Sequence, residues 1–224
     1  MYNYVEKAEV SRYRSECAKI LESVRRILKE NYDIFAKTDL VGSGARNLVT
    51  RDGNGPFDLD YNLQIITMPR TFRNDLHALK ETVKAVLNQV VQGTYFSDGH
   101  DSTSVLTSIL FFRDNPSVQF KFDVALLTRN EKGTWQRLIH NKNAVGFGQI
   151  GQYTWCPVPN SKDVSGKAKA IKDCNMWDLV RNNYLDRKNY YLEKQDKDHP
   201  SFVCYVEAVN QVYYQLFGKG GNNR

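Results

Sequence analysis

Hydrophobic positions along this chain follow two periods. Between residues 4 and 31, Cys17, Ile20, Leu21, Val24, Ile27 and Leu28 recur three and four positions apart, with glutamate, lysine and arginine between them. That spacing predicts a long amphipathic helix. Residues 37–42 read as a short strand running into Val41-Gly42-Ser43-Gly44, and 44–49 as the first turn of a helix. Residues 51–56, Arg-Asp-Gly-Asn-Gly-Pro, read as a loop. The period then changes to two. Over 57–67 a strand points Phe57, Leu59 and Tyr61 towards a core and Asp58 and Asp60 to the other face. Pro69 ends it, and Phe72, Leu76, Leu79, Val83, Val86, Leu87 and Val90 mark a helix over 72–92.

Residues 105–113 and 118–128 predict a hairpin around the turn signal at 114–117. In its second strand Phe120, Phe122, Val124 and Leu126 point one way and Lys121, Asp123 and Ala125 the other. Residues 135–140 add an edge strand. Gly146, Gly148, Gly151, Pro157 and Pro159 predict a loop-rich linker. Helices follow at about 162–172, 175–194 and 201–217, with His199-Pro200 between the last two and a frayed tail from 218. The fold class is therefore α/β (α+β): a short mixed β-sheet flanked by helices, with a helical C-terminal subdomain. The expected division is 1–160 for the core and 161–224 for the subdomain.

Composition sharpens this picture only in part. The chain has 224 residues, 41% of them hydrophobic and 12% aromatic, enough for a real core. Its net charge is +6. Residues 1–128 carry 16 basic and 16 acidic side chains, and 129–224 carry 15 and 9, so the excess lies wholly in the second stretch. This suits a polyanion or a nucleoside triphosphate, and equally a solvated basic surface. Cysteines 17, 156, 174 and 204 show no Cys-x-x-Cys spacing, which indicates neither zinc nor a disulfide framework. The N-terminus has no signal-peptide core and no segment approaches a membrane span, so a cytoplasmic protein with reduced thiols and no membrane partner is the expectation.

The candidate chemistry lies in the carboxylates. Asp58 and Asp60 share a strand face about 6–7 Å apart. Side by side they repel each other unless a cation lies between them. A hard divalent ion with a preference for oxygen, such as magnesium, is the natural partner. Asp123 supplies a third carboxylate on a later strand. Gly42-Ser43, then Asp58-x-Asp60, then Asp123 is an ordered set. It resembles the signature of the DNA polymerase beta-like nucleotidyltransferase superfamily over roughly residues 36–128. Within it, the run from Gly42-Ser43-Gly44-Ala45-Arg46 to Gly55-Pro56-Phe57-Asp58-Leu59-Asp60 is similar both to aminoglycoside nucleotidyltransferases and to the oligoadenylate and cyclic-oligonucleotide synthase branch. Asn47 follows Arg46 where many members have glycine, and fourteen residues separate Ser43 from Asp58, more than in the smallest members.

The resemblance implies transfer of a nucleoside monophosphate from a nucleoside triphosphate to a hydroxyl, with release of pyrophosphate. It implies two ions, magnesium or manganese, bridged by Asp58 and Asp60, with Asp123 on the nucleophile side. Backbone N–H groups of Gly42, Ser43 and Gly44, with the Ser43 hydroxyl, would hold phosphate oxygens. Arg46 would add either a charge-assisted contact or a structural ion pair. Lys169, on the basic run 165–172, is the candidate for a C-terminal lysine that meets the triphosphate, and a solvated helix face is its other reading. Among Tyr184, Tyr190, Tyr191, Tyr205, Tyr213 and Tyr214, one could stack on a base, and most belong in a core. His100 and His140 read as structural. The acceptor stays open between a small molecule, a nucleotide and RNA. The rival reading is a catalytically silent nucleotide- or partner-binding module on the same fold.

Overall fold

The computed structural model describes residues 1–112, 115–141, 153–159, 162–196 and 200–218. Gly146, Gly148, Gly151, His199 and most of the expected tail lie outside the described residues. The chain forms two compact units. The larger comprises Val5–Val49 and Gly55–Val158, and the smaller comprises Met1–Tyr4, Thr50–Asn54 and Pro159–Arg224. The sequence reading puts the first nine of those smaller-unit residues, in two short pieces, with the core.

In the larger unit, helix α1 (Lys7–Tyr32) buries Tyr13, Cys17, Ile20, Leu21, Val24 and Leu28 along one stripe and stops where Asp33 takes a left-handed conformation at φ 55°. A seven-stranded sheet carries β2 (Phe35–Val41), β4 (Phe57–Thr67), β7 (Asn115–Arg129), β6 (Leu106–Phe112) and β5 (His100–Asp101) in that spatial order. Strand β8 (Trp135–His140) pairs with the end of β7 and with β9 (Tyr153–Pro157). The β4–β7 pair is parallel and the others are antiparallel, so the sheet is mixed. The span of β4 coincides with the reading 57–67, and β6 and β7 form the expected hairpin.

Three local expectations are corrected. The helix anticipated over 72–92 is two helices, α3 (Arg70–Asn74) and α4 (Leu76–Val91). Asp75 is the cause: its carboxylate accepts the Ala78 N–H at 2.9 Å, which caps α4 and stops α3. Residues 153–157, expected in a linker, form β9, whose backbone is satisfied by β8. Strand β8 is consequently paired on both sides. In the smaller unit, Thr50–Asp52 is a strand (β3) paired antiparallel with Tyr2–Tyr4 (β1), where a loop and the start of a helix were expected.

The core of the larger unit lies between the sheet and α1 and α4. Phe57, Leu59, Tyr61, Leu63 and Ile65 from β4 meet Phe120, Phe122, Val124 and Leu126 from β7. Tyr13 stacks on Phe120 with ring centroids 4.5 Å apart and meets Phe57 edge-on at 5.4 Å. Each such side chain contributes about 1.5–3 kcal/mol by leaving water. A buried polar cluster ties α4 to the strands beside it. Lys80, almost wholly enclosed, pairs with Asp101 at 2.7 Å, and the same carboxylate meets His140 Nδ1 at 3.0 Å and accepts the Tyr153 hydroxyl at 3.2 Å. His140 is therefore structural, as its sequence context suggests.

The smaller unit is helical: α5 (Lys162–Asp173), α6 (Trp177–Glu193) and α7 (Ser201–Phe217), with α7 against both others. Ala168, Ile171, Val180, Tyr184, Cys204, Ala208 and Val209 are buried there. The β1–β3 pair is anchored to α6, where the Tyr4 hydroxyl donates to the Arg181 carbonyl at 2.6 Å. Among the described residues no helix is long and apolar enough to cross a membrane.

Candidate active site

Strand register assembles this site. Alternation along β4 turns Asp58 and Asp60 away from the core that Phe57, Leu59 and Tyr61 enter. The parallel register sets Asp60 directly beside Asp123, and Asp58 beside Lys121. One ligand atom from each of Asp58, Asp60 and Asp123 lies within 4.8 Å of the other two. These three residues come from positions up to 65 apart in the chain. Asp58 is exposed, and Asp60 and Asp123 are half-buried.

The glycine-serine segment arrives by the same route. In the antiparallel β2–β4 pair Val41 stands opposite Asp60, so the chain leaving β2 passes over that carboxylate. It turns at once into a short helix, α2 (Gly42–Arg46), two residues earlier than the reading of 44–49. Gly42 holds φ +62°, and a Cβ there would collide with Oδ2 of Asp60. A Cβ on Gly44 would lie 2.8 Å from Leu59 Cδ2 and 2.9 Å from Leu40 Cδ1. Gly42 requires glycine for its backbone angle and its proximity to a carboxylate, whereas a side chain at Gly44 would make Leu40 and Leu59 repack. Asn47 then closes α2 in a left-handed conformation, which asparagine tolerates, so the asparagine after Arg46 has a structural reason.

The electrostatics are those of crowded acids. Burial, then the charges of Asp58 and Asp123, push the Asp60 carboxyl up to about 6, against the pull of Arg137 and Arg46. Asp123 is raised as well, chiefly by burial, while the Thr107 hydroxyl donates to its Oδ1 and Lys121 holds it down. Clustered carboxylates of depressed acidity, partly open to solvent and offering oxygen donors alone, fit a hard divalent cation. Thr107 and Arg137 are the neighbours that sequence reasoning missed. Thr107 faces Asp123 across the β6–β7 hairpin, and Arg137 sits on β8 opposite Leu127. Only pairing register reveals either one.

Lys169 belongs to the smaller unit. It is largely exposed on α5 and pairs with Asp173 at 3.5 Å. Its neighbour Lys167 is the more constrained lysine, held by Asp163 at 2.9 Å and donating to Asn210 Oδ1 at 2.9 Å. Of the candidate tyrosines, Tyr184 and Tyr205 are core residues, and Tyr190 and Tyr214 are exposed.

No family model and no curated protein matches the sequence. Solved structures do match in fold. A Vibrio cholerae DncV cyclic AMP-GMP synthase, in complex with the linear intermediate pppA(3′,5′)pG, superposes with a TM-score of 0.61 at 7% identity, covering 98% of this chain and 70% of that one. Escherichia coli CdnC with ATP gives 0.55 at 15% identity, covering 96% and 67%. Elizabethkingia meningoseptica CdnE, a cyclic dinucleotide synthase with GTP and Apcpp, gives 0.54 at 14%, covering 92% and 71%. The chain thus spans about two thirds of the length of these proteins. Its fold is the one seen in these bacterial proteins.

Proposed function

We propose that this chain is a divalent-metal-dependent nucleotidyltransferase that moves a nucleoside monophosphate from a nucleoside triphosphate to a hydroxyl of a second nucleotide, releasing pyrophosphate. The observation that carries the reading is the convergence of Asp58, Asp60 and Asp123 to within 4.8 Å, beside a glycine turn that admits no side chain. Fold likeness to proteins solved with ATP, with GTP and with a linear dinucleotide supports a nucleotide acceptor over a sugar-like polyol.

In this reading Asp58 and Asp60, with Asp123 from β7, would hold magnesium or manganese. Bound there, the ions would neutralise triphosphate charge and lower the pKa of the attacking hydroxyl. The chain's own groups orient the reactants. Backbone N–H groups at Ser43 and Gly44, with the Ser43 hydroxyl, hold terminal phosphate oxygens beside Asp60. The Gly42 backbone can lie that close to the carboxylate because it has no Cβ. Arg46 supplies positive charge next to Asp60. Thr107 fixes the orientation of the Asp123 carboxylate through its hydrogen bond. Holding reactants in line in this way is the main lever available in phosphoryl transfer.

The test is incubation with ATP, GTP or both and magnesium chloride, following pyrophosphate and resolving nucleotide products by anion exchange. Pyrophosphate should appear with a new phosphodiester-linked product, and both should vanish in Asp58→Ala and Asp60→Ala while circular dichroism is unchanged. An undiminished rate in either variant rejects the site. Binding of triphosphate without turnover would make the chain the silent module.

A further inference from the structure

Where β4 and β7 end, the larger unit holds a cleft of about 690 Å³. Ile66 lines it from β4, Arg73 from α3, Arg129 from the end of β7, Glu131 and Lys132 from the turn that follows, and Trp155 from β9. Ile66 lies six positions along β4 from Asp60, about 20 Å. The cleft is therefore distinct from the carboxylate site, although the same two strands run through both.

Its chemistry is one-sided. Three cations line it against the single carboxylate of Glu131. Among the described residues, no ion pair engages Arg73, Arg129 or Lys132. One of these groups is held in place, and the backbone that carries another is fixed. The Arg129 guanidinium lies over the Trp135 ring at 4.6 Å. The turn carrying Lys132 is fixed by Asn130, whose Oδ1 accepts the N–H groups of Lys132 and Thr134 at 3.0 and 2.9 Å. A guanidinium fixed in advance gives up little entropy when an anion arrives. Beside them is apolar surface that a simple anion would leave unused: Ile66 is 53% exposed, and the Trp155 indole is partly packed on the core. An uncharged ring, in turn, would leave three cations unused. The volume lies within the range of sites for small organic ligands.

We propose that this cleft is a second ligand site, for a phosphate-bearing ring compound of nucleotide size. Its distance from the three aspartates excludes it from holding the reacting groups, so the occupant acts as an effector, bound across the ends of the strands that carry Asp60 and Asp123. This site does not depend on the catalytic reading above.

Calorimetric titration of the full chain with AMP and, separately, with pyrophosphate, in EDTA so that no metal bridges the carboxylates, tests it. AMP should bind, more tightly than pyrophosphate. The double variant Arg73→Ala/Arg129→Ala should weaken AMP at least tenfold, and Asp60→Asn should leave it unchanged. Both arginines are exposed, so the double variant keeps the fold; Lys132→Ala should also weaken AMP and serves as the independent second variant. Absence of heat with AMP, equal affinity for pyrophosphate, indifference to the arginine and lysine changes, or loss of binding in Asp60→Asn would each overturn the assignment.

Discussion

Asp60 carries two opposed demands. Its carboxyl is raised to about 6, so the folded protein keeps a proton that the unfolded chain releases near the ordinary carboxylate value. Without metal, stability should fall as pH climbs from about 4 to about 6 and then level off. Above pH 7 the site holds uncompensated negative charge, which a divalent ion relieves. Thermal melts should show magnesium raising Tm clearly at pH 7.5 and much less at pH 5, where binding must first displace the proton. Asp60→Asn without metal should melt about 3–6 °C above the parent at pH 7.5, taking about 1–2 kcal/mol for removal of a buried charge and of its repulsion by Asp58 and Asp123, and should lose its response to magnesium. A parent protein indifferent to magnesium at pH 7.5 would contradict this account. Gly42 offers a second residue-scale test. Gly42→Ala places a methyl group against Asp60 Oδ2 at a backbone angle that disfavours it, and activity should drop about 100-fold or more. Gly53 is the control: it also has positive φ, 53°, but a Cβ there meets nothing within 4 Å. Gly53→Ala should cost stability modestly and leave nucleotide turnover intact.

At the scale of elements, register decides both the site and how much of it could be read in advance. A two-residue period with aspartate on the polar face is a local signal, and β4 is recovered at its true bounds with its two aspartates. That Asp123 lies beside Asp60 is not local, because it depends on β4 and β7 pairing parallel in one register among several. The ordered motif supplied what periodicity could not. Thr107 had no motif to mark it, and its role exists only through pairing with Asp123. Short strands failed for a related reason. Residues 2–4 and 50–52 satisfy each other across nearly fifty residues, and 153–157 pairs with β8 despite the proline and glycine around it. The break at Asp75 was visible in principle as a helix cap, and the apolar stripe on either side masked it. The Lys80–Asp101 pair shows what such invisible contacts contribute. It joins α4 to β5, with His140 of β8 and Tyr153 of β9 on the same carboxylate. Asp101→Ala leaves Lys80 buried without its counter-ion and should destabilise by about 3–5 kcal/mol in denaturant unfolding. Although burial opposes ionisation of Asp101, the hydrogen bond and charge of Lys80, with Tyr153 and His140, hold its carboxyl below the usual range. The stabilisation is therefore present above the usual carboxylate range and lost as acid protonates the group in the fold. Acid unfolding of Asp101→Ala should accordingly show a shallower pH dependence than the parent.

Charge at the level of the whole chain points to the kind of acceptor. Split by residue number, the positive excess falls entirely in 129–224, which favours a polyanion partner for the C-terminal stretch. Divided by compact unit, the excess is even: the smaller unit carries 12 basic and 9 acidic side chains and the larger 19 and 16, a net of +3 each. Much of what looked like a basic C-terminal half belongs to 129–158, within the larger unit, and contributes Arg129 and Lys132 to the cleft at the end of β7. A protein that grips a long nucleic acid concentrates lysine and arginine in a continuous track, and each neutralised phosphate steepens the salt dependence of binding. Neither unit has a net charge suited to that. Under the proposed function, the expected acceptor is accordingly a single nucleotide and not an RNA strand. Competition against ATP turnover by a 20-nucleotide RNA, repeated over a salt series, decides the matter. A track contacting about six phosphates would give a log–log slope near −4, from about −0.7 per single-strand phosphate, whereas one or two phosphates give a slope near −1. The expected outcome is weak inhibition with the shallow slope, and no extension of the RNA 3′ end. A steep slope with extension would move the acceptor from a free nucleotide to a polynucleotide, while leaving the roles of Asp58, Asp60 and Asp123 as they are.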